Sequence, residues 1–268
     1  MNRLRLDPNA TPLCADLLIV ITAHNHEDYV RRCYRSVVAA FRKQRYFNPT
    51  VVICDDSSTD NTWREIVFGC VDAVRGGTTV TCRVEFGSVE KTINHIVDRY
   101  ASPYTGWILR IDADDYLPDD YFQKLSRAVL SKPRVELFYG NARFVTALKG
   151  AVAASELPPF DYEEIIKRGD FYATGTLLSM PLFKSIGGYE DSIHNSCVEQ
   201  WWLILKAIKA GVKGQKVEGL YFYYQIHDSN LSKDNERVKF YGQYALNMLF
   251  VGRKYERNEA HAPWLNNL

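Results

Sequence analysis

The sequence has almost no net charge: 33 lysines and arginines stand against 32 acids, a formal +1 over 268 residues. No global field would draw such a chain to nucleic acid or to an anionic membrane. Local basic clusters occur at Arg31-Arg32 with Arg35 and at Arg42-Lys43-Gln44-Arg45, and both read as solvated helix faces. Also missing is any paired-cysteine spacing. Cys14, Cys33, Cys54, Cys70, Cys82 and Cys197 are scattered, several within apolar runs, which argues against a zinc site or a disulfide framework and for reduced core residues. Long apolar runs are absent as well. Leu17 to Thr22 is strand-sized, far short of the ~18 to 20 residues of a membrane span. Met1 to Thr11 carries no apolar stretch of a secretory signal, so the cytoplasm is the expected address, with peripheral membrane attachment kept open. Neither internal repeats nor low-complexity segments appear.

What is present is a 46% hydrophobic, 13% aromatic chain able to bury an ordinary core. Through the first half, strand-like runs alternate with helical periodicity. Strands are expected at Leu17 to Thr22, Thr50 to Cys54, Thr79 to Phe86 and Trp107 to Ile111. Helices are expected near Tyr29 to Arg42, Asn61 to Val74 and Val89 to Tyr100. This rhythm implies βαβ units and a mostly parallel sheet. The second half is less regular, with a helix at Pro118 to Leu130, an apolar run at Val135 to Tyr139, and a loop-rich stretch around Pro158-Pro159. Next come Thr176 to Met180, a turn at Gly187-Gly188, a helix at Glu199 to Ala210 and a strand at Gly219 to Gln225. The tail from Asn235 to Arg257 has Val238, Tyr241, Ala245, Met248 and Tyr255 near helical spacing, suiting a helix packed on the main domain, an acceptor platform, a dimer contact or a membrane-surface helix.

Two acidic turns carry the chemistry. The apolar run Trp107 to Ile111 stops at Asp112, Asp114 and Asp115, three carboxylates within four positions. Like charges that close repel, and a divalent cation bridging to a phosphate would relieve them. The run Val51 to Cys54 similarly opens onto Asp55-Asp56-Ser57-Ser58. Ser, Thr, Asp and Asn ahead of a helix also serve as N-caps, which is the plain alternative for both turns. In open α/β sheets, however, ligands sit beyond the carboxyl ends of the strands, where two such turns would face one crevice. A calcium-loop register fails: counted from Asp56 it places Asn61 where Gly is needed and Val67 where Glu is needed, and counted from Asp112 it places Leu117 and Gln123 there. A haloacid dehalogenase pattern is weakened by Tyr116 in the fifth place.

Five ordered segments resemble the landmarks of family 2 glycosyltransferases with the GT-A fold. They are Ile19-Val-Ile-Thr-Ala-His-Asn25, Ile53-Cys-Asp-Asp-Ser-Ser-Thr-Asp-Asn-Thr62, Ile111-Asp-Ala-Asp-Asp115, Ile186-Gly-Gly-Tyr-Glu-Asp191 and Tyr224-Gln-Ile-His-Asp-Ser-Asn-Leu-Ser232. The resemblance spans about Leu17 to Lys233. It implies an α/β GT-A domain over residues 1–233, with a Rossmann-like, mostly parallel central sheet flanked by helices, and a C-terminal helical extension, 234–268, packed on it. The implied activity is inverting, hexosyltransferase-type transfer from a nucleotide-sugar, most simply a UDP-sugar, to a hydroxyl acceptor with Mn2+ or Mg2+. That acceptor could be a saccharide, a lipid-linked saccharide or a modified macromolecule such as modified DNA. A homodimer through the tail is a further expectation.

The resemblance assigns roles residue by residue. Ala23, His24 and Asn25 would flank the nucleobase, with His24 stacking on uracil and Asp56 accepting its N3–H. Arg110, Asp112 and Ala113 would lie along the donor, with Asp112 by the ribose or the metal, and Asn94 would join the donor side. Asp114 and His227 would hold the metal, while Asp115 would serve the turn and the next helix. The sequence departs from the family pattern at two places. Gln200 follows Glu199 where the family commonly has Glu-Asp at the helix start with the aspartate as base, so Glu199, or Asp191 or Glu190 reaching in from the turn, becomes the candidate base. In Glu90-Lys91-Thr92-Ile93-Asn94, Ile93 replaces a family arginine, and Lys91 is left as the phosphate-facing charge. A nucleotide-sugar-binding protein impaired in turnover is therefore the alternative. Trp201 and Trp202, about 100° apart on a helix, allow at most one to stack on a sugar.

Overall fold

The computed structural model describes residues 14–146, 150–168, 174–230 and 233–256. The strands are β1 (Ala15–Ala23), β2 (Phe47–Asp56), β3 (Thr78–Val84), β4 (Thr105–Asp112), β5 (Leu137–Thr146), β6 (Gly150–Ser155), β7 (Leu177–Ser179) and β8 (Gly214–Gln225). The helices are α1 (Val30–Phe41), α2 (Thr62–Gly69), α3 (Val89–Tyr100), α4 (Tyr121–Ser131), α5 (Tyr162–Arg168), α6 (Met180–Ser185), α7 (Glu199–Lys209) and α8 (Asn235–Leu249). All the strands join one sheet in the order β3-β2-β1-β4-β7-β5-β6, with β8 beside β5. β1 pairs in parallel with both β2 and β4, and β2 with β3. β7 is the antiparallel insertion between β4 and β5.

The alternation of the central strands explains the layering. Leu17, Ile19 and Ile21 of β1 pack with α1 and α4 on one face. Leu18 and Val20 point the other way, onto α3, α7 and α8. A strand buried on both faces reads as a continuous apolar run, which is why the periodicity called for a parallel sheet. The order reverses at β1, with β2 on one side and β4 on the other, so the crevice beyond their carboxyl ends is the switch point of the sheet. Thr22 and Asp112 face one another there in register.

Three departures stand out, two of them with a local feature beside them. The second helix stops at Gly69 rather than near Val74; a Cβ on Gly69 would lie 2.1 Å from Arg31 Nε, so the helix ends against α1. β8 begins at Gly214, earlier than Gly219, and the chain passes Gly219 with φ +66. The short elements β6, α5 and α6 were not foreseen. Trp201 and Trp202 both sit in the core, at 1% and 3% exposure, and the Trp201 indole donates to the Ile165 carbonyl, so neither offers a face to a sugar. From the tail, Val238, Ala245, Leu246 and Tyr255 join the α7 cluster, with the Tyr255 ring 5.3 Å from that of Trp201. Residues 1–13 and 257–268, which include Met1 to Thr11 and the end of the tail, lie outside the described residues. Cys33, Cys54 and Cys70 are buried while Cys14 is exposed, and all six cysteines are free thiols.

Candidate active site

The three carboxylates at the end of β4 resolve their repulsion in three different ways. Asp112 accepts from Arg110 Nε and Nη2, both at 2.8 Å. Asp114 Oδ2 lies 2.9 Å from His227 Nε2 and 3.3 Å from Asn230 Nδ2. Asp115 is buried, with one oxygen accepting from the Gln225 N–H at 3.1 Å and the other from Thr174 Oγ1 at 2.6 Å. Burial, followed by the charges of Asp114 and Asp112, holds the Asp115 carboxyl well above the usual carboxylate range. Burial also pushes on Asp114, but the hydrogen bond from His227 and the nearby charges of His26 and His227 outweigh it and leave the carboxyl lowered. Asp115 therefore ties β4 to β8, whereas Asp114 remains an anion at the crevice.

His227 meets Asp114 because β8 runs beside β5 and its end returns to the crevice. The turn is held by Asn230, whose Oδ1 accepts from the His227 N–H at 2.7 Å. Ser229 Oγ lies 2.9 Å from His227 Nδ1, and Tyr29 stacks on the imidazole with centroids 5.0 Å apart. One ring nitrogen of His26, one oxygen of Asp114 and one ring nitrogen of His227 lie within 4.8 Å of one another. A carboxylate oxygen and an imidazole nitrogen on a shared approach suit a divalent cation. His26 was not singled out from the sequence, although its place in His24-Asn25-His26, directly after a buried strand, was a readable signal. Asp112 does not join this cluster; its carboxylate is taken up by Arg110.

The loop after β1 is locked onto the loop after β2. Asn25, at φ +56, accepts from the Thr59 N–H at 2.8 Å, and its own N–H donates to Ser58 Oγ at 2.9 Å. His24 Nδ1 lies 2.7 Å from the Asp56 carbonyl, so that nitrogen carries the proton, and the ring is exposed at the rim. Ala23 and Ala113 are buried backbone positions, the Ala113 N–H donating to the Thr22 carbonyl at 3.1 Å.

Asp56 has a different surrounding from a free acceptor. Its Oδ1 accepts from the Phe86 and Gly87 N–H groups at 2.9 and 2.8 Å and from Ser57 Oγ at 2.9 Å. Its Oδ2 accepts from the Ser88 N–H at 3.0 Å and Thr92 Oγ1 at 2.8 Å. Two oxygens offer about four lone-pair sites, and five donors fill them. Burial alone would raise this carboxyl, and the donors more than offset it, leaving it lowered. Asp56 thus builds the β3–α3 turn, and a uracil N3–H would have to displace one of these donors.

On the other side of Asp112, Arg110 Nη1 donates to Glu199 Oε1 at 2.9 Å, so a single buried guanidinium bridges the Asp112 carboxylate and the first residue of α7. Gln200 turns inward: it is 3% exposed and accepts from the Tyr189 hydroxyl at 2.5 Å. Asp191 accepts from Asn94 Nδ2 at 3.1 Å. Asn94 also brackets the Gly187-Gly188 turn, exchanging hydrogen bonds with the Tyr189 N–H and carbonyl, both at 3.0 Å. Gly188 is required there: at φ +62, its Cβ would lie 2.6 Å from Asn94 Oδ1. Ile93, in place of the family arginine, is fully buried, and Lys91 lies in the first turn of α3, its N–H donating to the Ser88 cap. Glu90 is buried and accepts from the Asn195 and Ser196 N–H groups at 2.9 and 3.0 Å, fixing the loop ahead of α7; burial and the charge of Glu199 raise its carboxyl.

Residues 18–145 match the sequence model described as Glycosyl transferase family 2. The chain carries a family 2 glycosyltransferase domain. Over 222 residues this glycosyltransferase is 23% identical to the Escherichia coli UDP-Glc:alpha-D-GlcNAc-diphosphoundecaprenol beta-1,3-glucosyltransferase WfaP, covering 80% of this chain and 78% of that protein. Among solved structures, residues 1–349 of S. aureus TarS in complex with UDP superimpose with a TM-score of 0.64 at 14% identity, covering 94% of this chain and 70% of that one. The mannosyltransferase PcManGT from Pyrobaculum calidifontis, in complex with GDP-Man and Mn2+, gives 0.64 at 14% identity, covering 96% and 71%. These likenesses establish the GT-A fold of the glycosyltransferase. Among the described residues, no helix is long and apolar enough to cross a membrane.

Proposed function

We propose that this glycosyltransferase transfers a sugar from a UDP-sugar donor to a hydroxyl acceptor with inversion and with help from a divalent cation. The observation that carries the reading is the convergence of Asp114 and His227 at the switch point of the sheet, beside the separate chain Asp112–Arg110–Glu199. Asp114 and His227 would hold the cation, Mn2+ or Mg2+, which when bound supplies Lewis-acid stabilisation to a departing diphosphate. His24, Asn25 and the loop after β2 form the rim for the nucleobase. Asp56 acts here by shaping the β3–α3 turn against which the base lies. Arg110 fixes Asp112 toward the ribose, and Asn94 positions Asp191 at the edge of the same crevice.

Glu199 is the base in this reading. Paired with Arg110, its carboxylate is held in place and oriented at the first turn of α7. It removes the acceptor hydroxyl proton as that oxygen bonds to the anomeric carbon, while the bond to the diphosphate oxygen breaks and its electron pair leaves with the nucleotide. Attack from the face opposite the leaving group inverts the anomeric centre. Gln200, buried against Tyr189, takes no part. WfaP acts on a diphosphoundecaprenol-linked saccharide, which supports a lipid-linked saccharide as the acceptor class. The exposed stripe Phe240, Tyr244 and Met248 along α8 supports peripheral attachment to the membrane carrying it.

The test is donor turnover with Mn2+ across UDP- and GDP-sugars. Nucleoside diphosphate release is expected from a UDP-sugar, and Asp114→Asn is expected to abolish the metal-dependent rate. Ordinary turnover by the Asp114→Asn protein would remove the metal assignment; donor binding with no release from any sugar would favour a nucleotide-sugar-binding protein.

A further inference from the structure

We propose that His26 is a third protein ligand of the cation, so that His26, Asp114 and His227 form a preformed site that binds Mn2+ without nucleotide and favours it over Mg2+. The proposal rests on the assignment of Asp114 and His227 as metal ligands and adds a residue to it. His26 Nδ1 is buried and has no hydrogen-bond partner, an arrangement that leaves a polar atom unsatisfied unless something else binds the ring. The imidazole edge lies against His227, with centroids 6.1 Å apart and planes at 77°. The three ligand atoms span at most 4.8 Å, little more than the ~4.2 Å that separates two ligands across one ion with bonds of ~2.1 Å.

The rest of the neighbourhood is that of a rigid ligand. The His26 N–H donates to Thr62 Oγ1 at 2.7 Å, and the His26 carbonyl accepts from the Tyr29 and Val30 N–H groups, both at 3.0 Å, so the residue is built into the entry of α1. Outer-sphere partners are in place as well. Ser229 can accept from His227 Nδ1, which would present Nε2 as the ligating lone pair, and Asn230 reaches Asp114 Oδ2. Two imidazoles and one carboxylate suit Mn2+, Co2+ or Zn2+. Mg2+ prefers an all-oxygen shell completed by substrate phosphates, and it would gain little from this triad before the donor arrives.

The experiment is a titration of the full nucleotide-free chain with Mn2+, following the free ion by its EPR signal, for wild type, His26→Ala and His26→Asn. Wild type is expected to bind one Mn2+ without UDP, with about 10- to 100-fold weaker binding in both variants and no competition from equimolar Mg2+. Should the variants not fold, pulsed EPR on the wild-type Mn2+ adduct decides, since two coordinated imidazole nitrogens are expected. One nitrogen, equal affinity in wild type and His26 variants, or binding only when UDP is added would overturn the proposal. Those outcomes leave the Asp114 and His227 assignment intact, because that assignment is judged by Asp114→Asn turnover with donor present.

Discussion

Replacing Asp56 by alanine separates a folding role from a recognition role. The carboxylate takes five hydrogen bonds, and hydrogen bonds to charged groups contribute about 1.5–3 kcal/mol each. They do not all count equally. Phe86 and Gly87 are exposed, so their N–H groups can turn to water once the carboxylate is gone, and Ser57 is partly exposed as well. Ser88 and Thr92 are buried at 1% and 0% exposure and would keep unsatisfied donors, each costing about 1–3 kcal/mol. Asp56→Ala should therefore lose about 2–6 kcal/mol, and at roughly 2–4 °C per kcal/mol the melting temperature should fall by about 10 °C. The pH dependence has a definite sign. The folded carboxyl is lowered, so its contribution is fully present above the ordinary carboxylate value, about 3.9, and is lost as pH falls through the still lower folded value. The gap between wild type and Asp56→Ala in thermal unfolding should be constant from pH 7 to about 5 and close only in stronger acid. An unchanged melting temperature with weakened UDP binding would refute this reasoning and return Asp56 to the base itself.

Three further outcomes follow from the same geometry. Arg110→Met strips the counter-ion from Asp112 and Glu199; removing one partner of a buried pair costs about 3–5 kcal/mol, discounted to about 2–4 because the Asp112 side chain is 30% exposed. Thermal unfolding should show this loss, and adding Glu199→Gln should recover part of it; a fully additive double variant would mean that the two groups do not interact. Glu199→Gln should lower kcat by about 10²- to 10⁴-fold with little change in donor KM, while Asp191→Asn stays near wild type; the reverse pattern in steady-state kinetics would move the base to Asp191. Trp201→Ala should cost about 3–5 kcal/mol in denaturant unfolding, yet leave donor affinity of the folded protein unchanged, as a core side chain requires.

Much of this protein was legible in its residues. Both-face burial of β1, β2 and β4 writes itself as apolar runs, interrupted in β4 by Arg110, and each run stops where polar chain must emerge, so the parallel sheet and its two acidic turns could be placed without coordinates. The ordered landmarks from Ile19 to Ser232 likewise carried the family. What one dimension could not express was how each carboxylate is compensated. Asp112, Asp114 and Asp115 look alike within four positions, but strand direction sends one to Arg110, one to His227, 113 residues away in sequence, and one into the core beside Thr174 and Gln225. Asp56 reads as a free acceptor in sequence and is filled by a turn some 30 residues on. Gln200 and Glu199 are neighbours whose roles diverge only because the α7 start points one at Tyr189 and the other at Arg110. Periodicity and local composition decide which segments are strands, helices and turns, because those depend on near neighbours. Which charges meet depends on strand order and register, and His26 joined Asp114 and His227 only when the sheet brought the ends of β1, β4 and β8 together.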